Sequence, residues 1–186
     1  MYSIPAVILA GGKSSRMGRD KALLPFAGYA TLSEFQYVKL QGCFHQVYLS
    51  TKEEKFDFPC QIIKDNSHIS SPLIALVSVF EKLQADTVFV LSVDTPLVNE
   101  TVIKTLYDAH STAYDAIVAT HENGSEPLCA MYNRSMIEKA KDAISKERHA
   151  LHALLKQSQV KYVFFDNSEW FTNLNYPEAY EKLCLR

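Results

Sequence analysis

A chain of 186 residues is long enough for one compact domain with a sizeable core and short for two, so residues 1–186 are expected to form a single domain. The net charge of −2 leaves no global basic field for gripping long nucleic acid, and basic residues then matter only where they cluster. Cys43, Cys60, Cys129 and Cys184 are scattered, with no C-x-x-C and no histidine at metal-ligand spacing; this excludes a zinc site or disulfide framework and suits reduced, partly buried thiols.

Ile4 to Leu9 is apolar apart from its proline and reads as a short buried strand. The N-terminus enters this strand without the charged start and long apolar region of a signal peptide, and no later stretch has the length of a membrane span, so a cytoplasmic protein is expected. Gly11 and Gly12 end the strand. Adjacent glycines allow positive φ and close approach of a ligand, and their N–H groups with those of Lys13, Ser14 and Ser15 can converge on an anion. Arg16, Arg19 and Lys21 add cations: a guanidinium grips phosphate bidentately, and an ammonium follows charge as it develops. A P-loop is excluded because Val7 stands where that motif needs its first glycine, and the G-x-G-x-x-G fingerprint fails because Gly11 and Gly12 are adjacent.

Further along, Thr31 to Gln41 carries Leu32, Phe35 and Val38 on one helical face and ends at Gly42. Gln46 to Ser50 and Gln61 to Lys64 read as strands, the first opening into a charged loop from Lys52 to Lys55. Ser71-Pro72 is an N-cap with proline at the first helical position, and Leu73, Leu76, Val77, Phe80 and Leu83 form the stripe of a helix packed on a sheet. Thr87 to Val93 is a β-branched apolar run suited to a strand buried on both faces. Helices are expected at Thr101 to Ala109, Ser135 to Ile144 and Ala150 to Gln157, and strands at Ala116 to Ala119, Leu128 to Tyr132 and Val160 to Phe165. This alternation predicts a mostly parallel three-layer α/β fold, with ligands beyond the carboxyl ends of the strands.

Asp94 follows the buried strand in Val93-Asp94-Thr95-Pro96. A carboxylate there, on a turn stiffened by proline, suits a hard cation, and magnesium would bridge it to phosphate; a plain turn or cap is the alternative. Asp65 ends another strand and would face the same crevice. His45, His68, His110, His121, His149 and His152 show no catalytic pairing and receive no role.

Leu9-Ala10-Gly11-Gly12-x-Ser-x-Arg-Met-Gly-x-Asp20-Lys21 resembles the signature of the molybdenum cofactor guanylyltransferases. The resemblance implies a Rossmann-like, three-layer α/β/α nucleotidyltransferase fold of the nucleotide-diphospho-sugar transferase type. It also implies transfer of GMP from GTP to molybdopterin cofactor, with Mg²⁺ as metal and pyrophosphate as product. Asp94 then matches the family's Asp-x-Pro motif, binding metal and nucleotide phosphates, and Asp65 resembles an aspartate that contacts nucleotide. Ser71 and Ala75 depart from the family's Gly-Pro-Leu-x-Gly, and Ser50 stands where relatives often have asparagine. The implied nucleotide site comprises Leu9, Ala10, Gly11, Gly12, Lys13, Ser14, Ser15, Lys21, Ser50, Asp65 and Asp94, with Arg16, Lys21 and Asp94 catalytic. Leu9 to Gly11 would line base and ribose by main-chain contact.

Glu126-Pro127-Leu128 resembles the family's x-Pro-Leu strand, which puts Pro127 beside the acceptor, although a turn into a strand explains it equally. Phe171 to Glu178 resembles Asn-x-Asn-Thr-Pro-Glu, with Asn173 and Asn175 as acceptor ligands; Asn175 could instead cap the last helix. The implied partners are GTP, molybdopterin, cofactor-delivery proteins and apo-molybdoenzymes, with neither nucleic acid nor membrane. Cytidylyltransferases tend to have Leu-Ala-Ala-Gly at the loop, so Gly11 favours the larger purine. A CTP-using transferase and a non-catalytic nucleotide-binding module stay open.

Overall fold

The computed structural model describes residues 1–11, 18–65, 69 and 71–184. Strands β1 (Ala6–Leu9), β2 (Val47–Thr51), β3 (Gln61–Lys64), β4 (Thr87–Ser92), β5 (Ala116–His121), β6 (Gly124–Asn133) and β7 (Val160–Phe164) form one sheet in the order β3-β2-β1-β4-β6-β5-β7. Pairing is parallel except where β6 runs antiparallel between β4 and β5. Helices α1 (Leu32–Gln41), α2 (Pro72–Leu83), α3 (Glu100–Asp108), α4 (Met136–Ser145), α5 (Leu151–Leu155) and α6 (Pro177–Cys184) complete it. This is the mostly parallel α/β architecture expected from the alternating elements.

Period-two alternation sends the strand side chains into separate cores. Ala6 and Ile8 of β1 pack with Phe89 and Leu91 of β4 beneath α1 and α3, through Leu32, Leu40, Val102 and Leu106. Val7, Val88 and Val90 point the other way, against Leu76 and Phe80 of α2 and Ile137 of α4. Ser71 accepts the N–H of Leu73 and caps α2, with Pro72 opening the helix as the sequence indicated. Cys43 and Cys129 are buried and Cys60 partly so, all as free thiols, and burial raises the pKa of each. Among the described residues no helix is long and apolar enough to cross a membrane.

Two expectations are corrected. The buried face of α1 is Leu32, Ser33, Gln36, Tyr37 and Leu40, not Leu32, Phe35 and Val38, and Val38 is 42% exposed. Counting apolar residues misplaces the face because polar Ser33 and Gln36 turn inward to meet backbone carbonyls. Strand β6 is also longer than Leu128 to Tyr132 and forms a hairpin with β5. Its register breaks: Val118 stands opposite Ala130, but Ala119 stands opposite Glu126, so residues 127–129 have no counterpart on β5. Pro127, lacking an N–H, sits in this break, and the buried Tyr132 hydroxyl donates to its carbonyl at 2.8 Å.

From β1 the chain builds outward to β2 and β3, then returns through α2 to place β4 on the other side of β1. The strand order therefore reverses between β1 and β4, where open α/β sheets bind ligands. Leu9 lies beside Ser92 in the ladder, so the residues that follow them, Gly11 and Asp94 included, leave the sheet side by side.

Candidate active site

The carboxylate of Asp94 is held from both sides. Ser92 Oγ donates to Oδ1 at 2.5 Å, and Lys21 Nζ to Oδ2 at 2.8 Å. Lys21 also donates to Asn175 Oδ1 at 2.7 Å. The Lys21 and Asp94 side chains are 14% and 15% exposed, sheltered enough that their charges act over a short range with little screening. Residues far apart in sequence thus meet at the switch point.

Helix α1 holds both sides of this cluster through polar side chains three residues apart. Ser33 Oγ donates to the Ala22 carbonyl at 2.8 Å and fixes the 3₁₀ turn Lys21–Leu23, which Asp20 caps by accepting the Ala22 N–H at 3.0 Å. Gln36 Nε2 lies 3.3 Å from the carbonyls of both Ser92 and Val93, while its buried Oε1 has no partner. Lys39 Nζ donates to the carbonyls of Pro96 and Val98, each at 2.9 Å. The Asp94 turn is therefore pinned before and after the carboxylate.

Burial lowers the pKa of Lys39 from 10.5 to about 8. Between those values the unfolded chain holds a proton that the folded chain has released. Raising pH from about 8 to 10.5 therefore adds stability through this group, and that increment disappears as pH falls back through the window. Urea unfolding of the native protein and Lys39→Met across this range is expected to show it as a rising stability difference in favour of the native protein.

On the β1 side, Lys55 Nζ donates to the Ala10 carbonyl at 3.1 Å and pairs with Asp20. It thereby links a residue before the loop to one after it. Gly12, Lys13, Ser14, Ser15 and Arg16 lie outside the described residues. The main chain of the preceding residues is already engaged: the Ala10 N–H donates to Ser50 O at 2.9 Å and the Leu9 carbonyl accepts from Val93 N at 3.2 Å. Gly11 is exposed and does not adopt positive φ. A methyl group there would meet Thr51 Cα at 3.6 Å, an ordinary contact, so among the described residues neither backbone nor packing demands glycine at this position.

Ser50 is 2% exposed within β2, and Asp65, 8% exposed, ends β3 with its N–H on Thr51 O at 2.9 Å. The Asn175 side chain accepts from Lys21. Leu174 is fully buried and its N–H donates to the Asp94 carbonyl at 2.9 Å, which anchors the segment carrying both asparagines. Asn173 and Pro127 line a cleft of about 460 Å³ with Ser92, Thr95, Glu126 and His149. Because Ser92 also donates to Asp94, the cleft abuts the charged cluster. The Ser71 hydroxyl caps α2 and donates to the His149 carbonyl at 3.2 Å.

Sequence reasoning missed Ser33, Gln36, Lys39 and Lys55, and gave no role to His149 and His152, which line the cleft. Polar side chains at three-residue spacing on a core helix were the available signal for the first three.

Among the described residues no three His, Cys, Asp or Glu side chains gather as a metal site. One oxygen-donor carboxylate nevertheless suits magnesium, which keeps several waters and takes further ligands from substrate phosphates. Asp94 fits that part.

Residues 6–162 match the MobA-like NTP transferase domain. The chain belongs to that family. MobA-like relatives include the molybdenum cofactor guanylyltransferase of Campylobacter jejuni subsp. doylei, 38% identical over 184 residues, which covers 98% of this chain and 96% of the relative. The molybdenum cofactor guanylyltransferase of Helicobacter pylori strain G27 is 32% identical, covering 96% and 90%. The crystal structure of molybdopterin-guanine dinucleotide biosynthesis protein A from Archaeoglobus fulgidus superposes with a TM-score of 0.84 over 98% of this chain and 97% of that one; at 21% identity it supports the fold. A MobA-like NTP transferase is a nucleotidyltransferase.

Proposed function

We propose that the chain transfers GMP from GTP to the terminal phosphate of molybdopterin, forming the guanine dinucleotide and releasing pyrophosphate. The observation that carries this reading is the Lys21–Asp94–Asn175 cluster between the β1 loop and a cleft able to hold an acceptor. Relatives named for this activity match nearly the whole chain.

An oxygen of the acceptor phosphate attacks the α-phosphorus of GTP, and the bond to pyrophosphate breaks. That oxygen is already ionised, so the protein needs neither nucleophile nor strong base, and catalysis rests on positioning and charge neutralisation. Asp94 would hold magnesium, which supplies neutralisation of α-phosphate and leaving-group charge when bound. Lys21, poised between Asp94 and Asn175, offers its ammonium to the phosphates. Asn175 keeps that ammonium oriented without adding negative charge, and Asn173 presents an amide to the acceptor cleft. Loop residues Gly12 to Ser15 and Arg16 carry the remaining donor contacts in this proposal.

Gly11 favours guanine. Among the described residues neither backbone nor packing requires glycine there, which supports ligand access as its reason. Protection against heat by GTP, CTP, ATP and UTP tests the base: GTP is expected to protect selectively, and selective protection by CTP would assign a cytidylyltransferase. Pyrophosphate release on adding molybdopterin separates an enzyme from a nucleotide-binding module.

A further inference from the structure

Glu126 is the one acidic side chain among the described residues that line the acceptor cleft. Ser92, which also lines the cleft, donates to Asp94, and Asp94 is paired with the Lys21 ammonium. A lining with a carboxylate at Glu126, next to a Lys21–Asp94 pair reached through Ser92, suits a ligand that carries a phosphate and also offers hydrogen donors to Glu126.

Glu126 is positioned deliberately. The register break after Ala119 brings it opposite that residue and frees residues 127–129 from β5, a device that re-aims side chains beside functional sites. His121 Nε2 lies 3.0 Å from Glu126 Oε1. The Asn123 N–H donates to His121 Nδ1 at 3.2 Å, so the neutral ring carries its proton on Nε2 and donates to the carboxylate. The imidazole is 8% exposed and stacks on Phe171 with centroids 5.1 Å apart and planes at 10°. One carboxylate oxygen is thus tethered, and the group keeps acceptor capacity for a ligand.

Given molybdopterin as acceptor, we propose that Glu126, oriented by His121, recognises the paired donors of the pterin ring, the ring N–H and adjacent exocyclic NH₂. Two parallel N–H donors match the two oxygens of a carboxylate in the fork geometry that makes guanidinium–carboxylate pairs specific. The inference deepens the proposed function and rests on it. Glu126 is then a specificity residue and His121 a positioning residue.

The test uses two phosphate-free ring probes, 6-hydroxymethylpterin and 6-hydroxymethyllumazine, the second having an oxo group in place of the 2-amino group. Binding to the native chain, Glu126→Gln and His121→Gln is followed by ring fluorescence, with heat protection by GTP as the control for folding. The native protein is expected to prefer the pterin by about tenfold or more, on the scale of one lost hydrogen bond to a charged group. Glu126→Gln loses that preference while GTP protection persists, and His121→Gln reduces it. Unchanged preference in Glu126→Gln, or equal weakening toward both rings, overturns the assignment. Failure of the underlying reading looks different: the native protein then binds neither ring, although GTP still protects it.

Discussion

Replacing Lys21 with alanine is expected to lower turnover, at saturating GTP and magnesium, by about 10²–10³, the effect of removing one preorganised electrostatic donor. Its effect is twofold. The ammonium no longer meets charge developing on the α-phosphate and pyrophosphate. Asp94 Oδ2 also loses its 2.8 Å partner, so an unbalanced carboxylate faces incoming phosphates. Lys21→Arg should recover little, because a planar fork does not reproduce a compact ammonium held at 2.7 Å from Asn175 Oδ1. The loss should appear in kcat rather than only in the KM for GTP, since the ammonium is assigned to charge formed during reaction. Near-normal kcat in Lys21→Ala would remove Lys21 from the mechanism.

Asp94→Asn is expected to cost about 10³ in rate, several kcal/mol of transition-state stabilisation. The amide keeps the shape and can still accept from Ser92 or Lys21, so the fold around Leu174 should persist. What disappears is the negative charge that would hold magnesium. A magnesium titration separates the roles: the native enzyme saturates, whereas the variant requires far more metal and never regains full rate. If the metal dependence stays unchanged, Asp94 is a structural partner of Lys21 and not a metal ligand. Because the two side chains touch, the Lys21→Ala/Asp94→Asn double variant should lose less than the product of the single losses.

The sheet was largely legible because each strand carries its own local signal. Thr87 to Val93 is continuously apolar and β-branched, and Gln61 to Lys64 lies between turn residues, so both strands follow from composition. Helix α2 was legible from its stripe and its Ser71-Pro72 start. Helix α1 misled because its core face carries Ser33 and Gln36, whose partners are carbonyls from other elements that only the tertiary fold brings near. Lys55 was hidden for the same reason: in sequence it belongs to a charged loop, whereas in space it joins Ala10 to Asp20. The antiparallel insertion of β6 and its register break depend on pairing with β4 and β5, which no local pattern encodes. Glu126 and His121 therefore acquire their relationship only in the folded chain. Lys21 and Asp94, read separately as phosphate and metal ligands, are brought into direct contact at the site.

Incubation of the purified protein with molybdopterin, magnesium and GTP, CTP, ATP or UTP in turn, with the product identified by mass, tests the central claim most directly. The account predicts a dinucleotide containing one GMP, formed with GTP in preference to the other nucleotides and accompanied by one pyrophosphate per turnover. Preferential formation of the cytosine dinucleotide, or nucleotide binding with no pyrophosphate release, would contradict it.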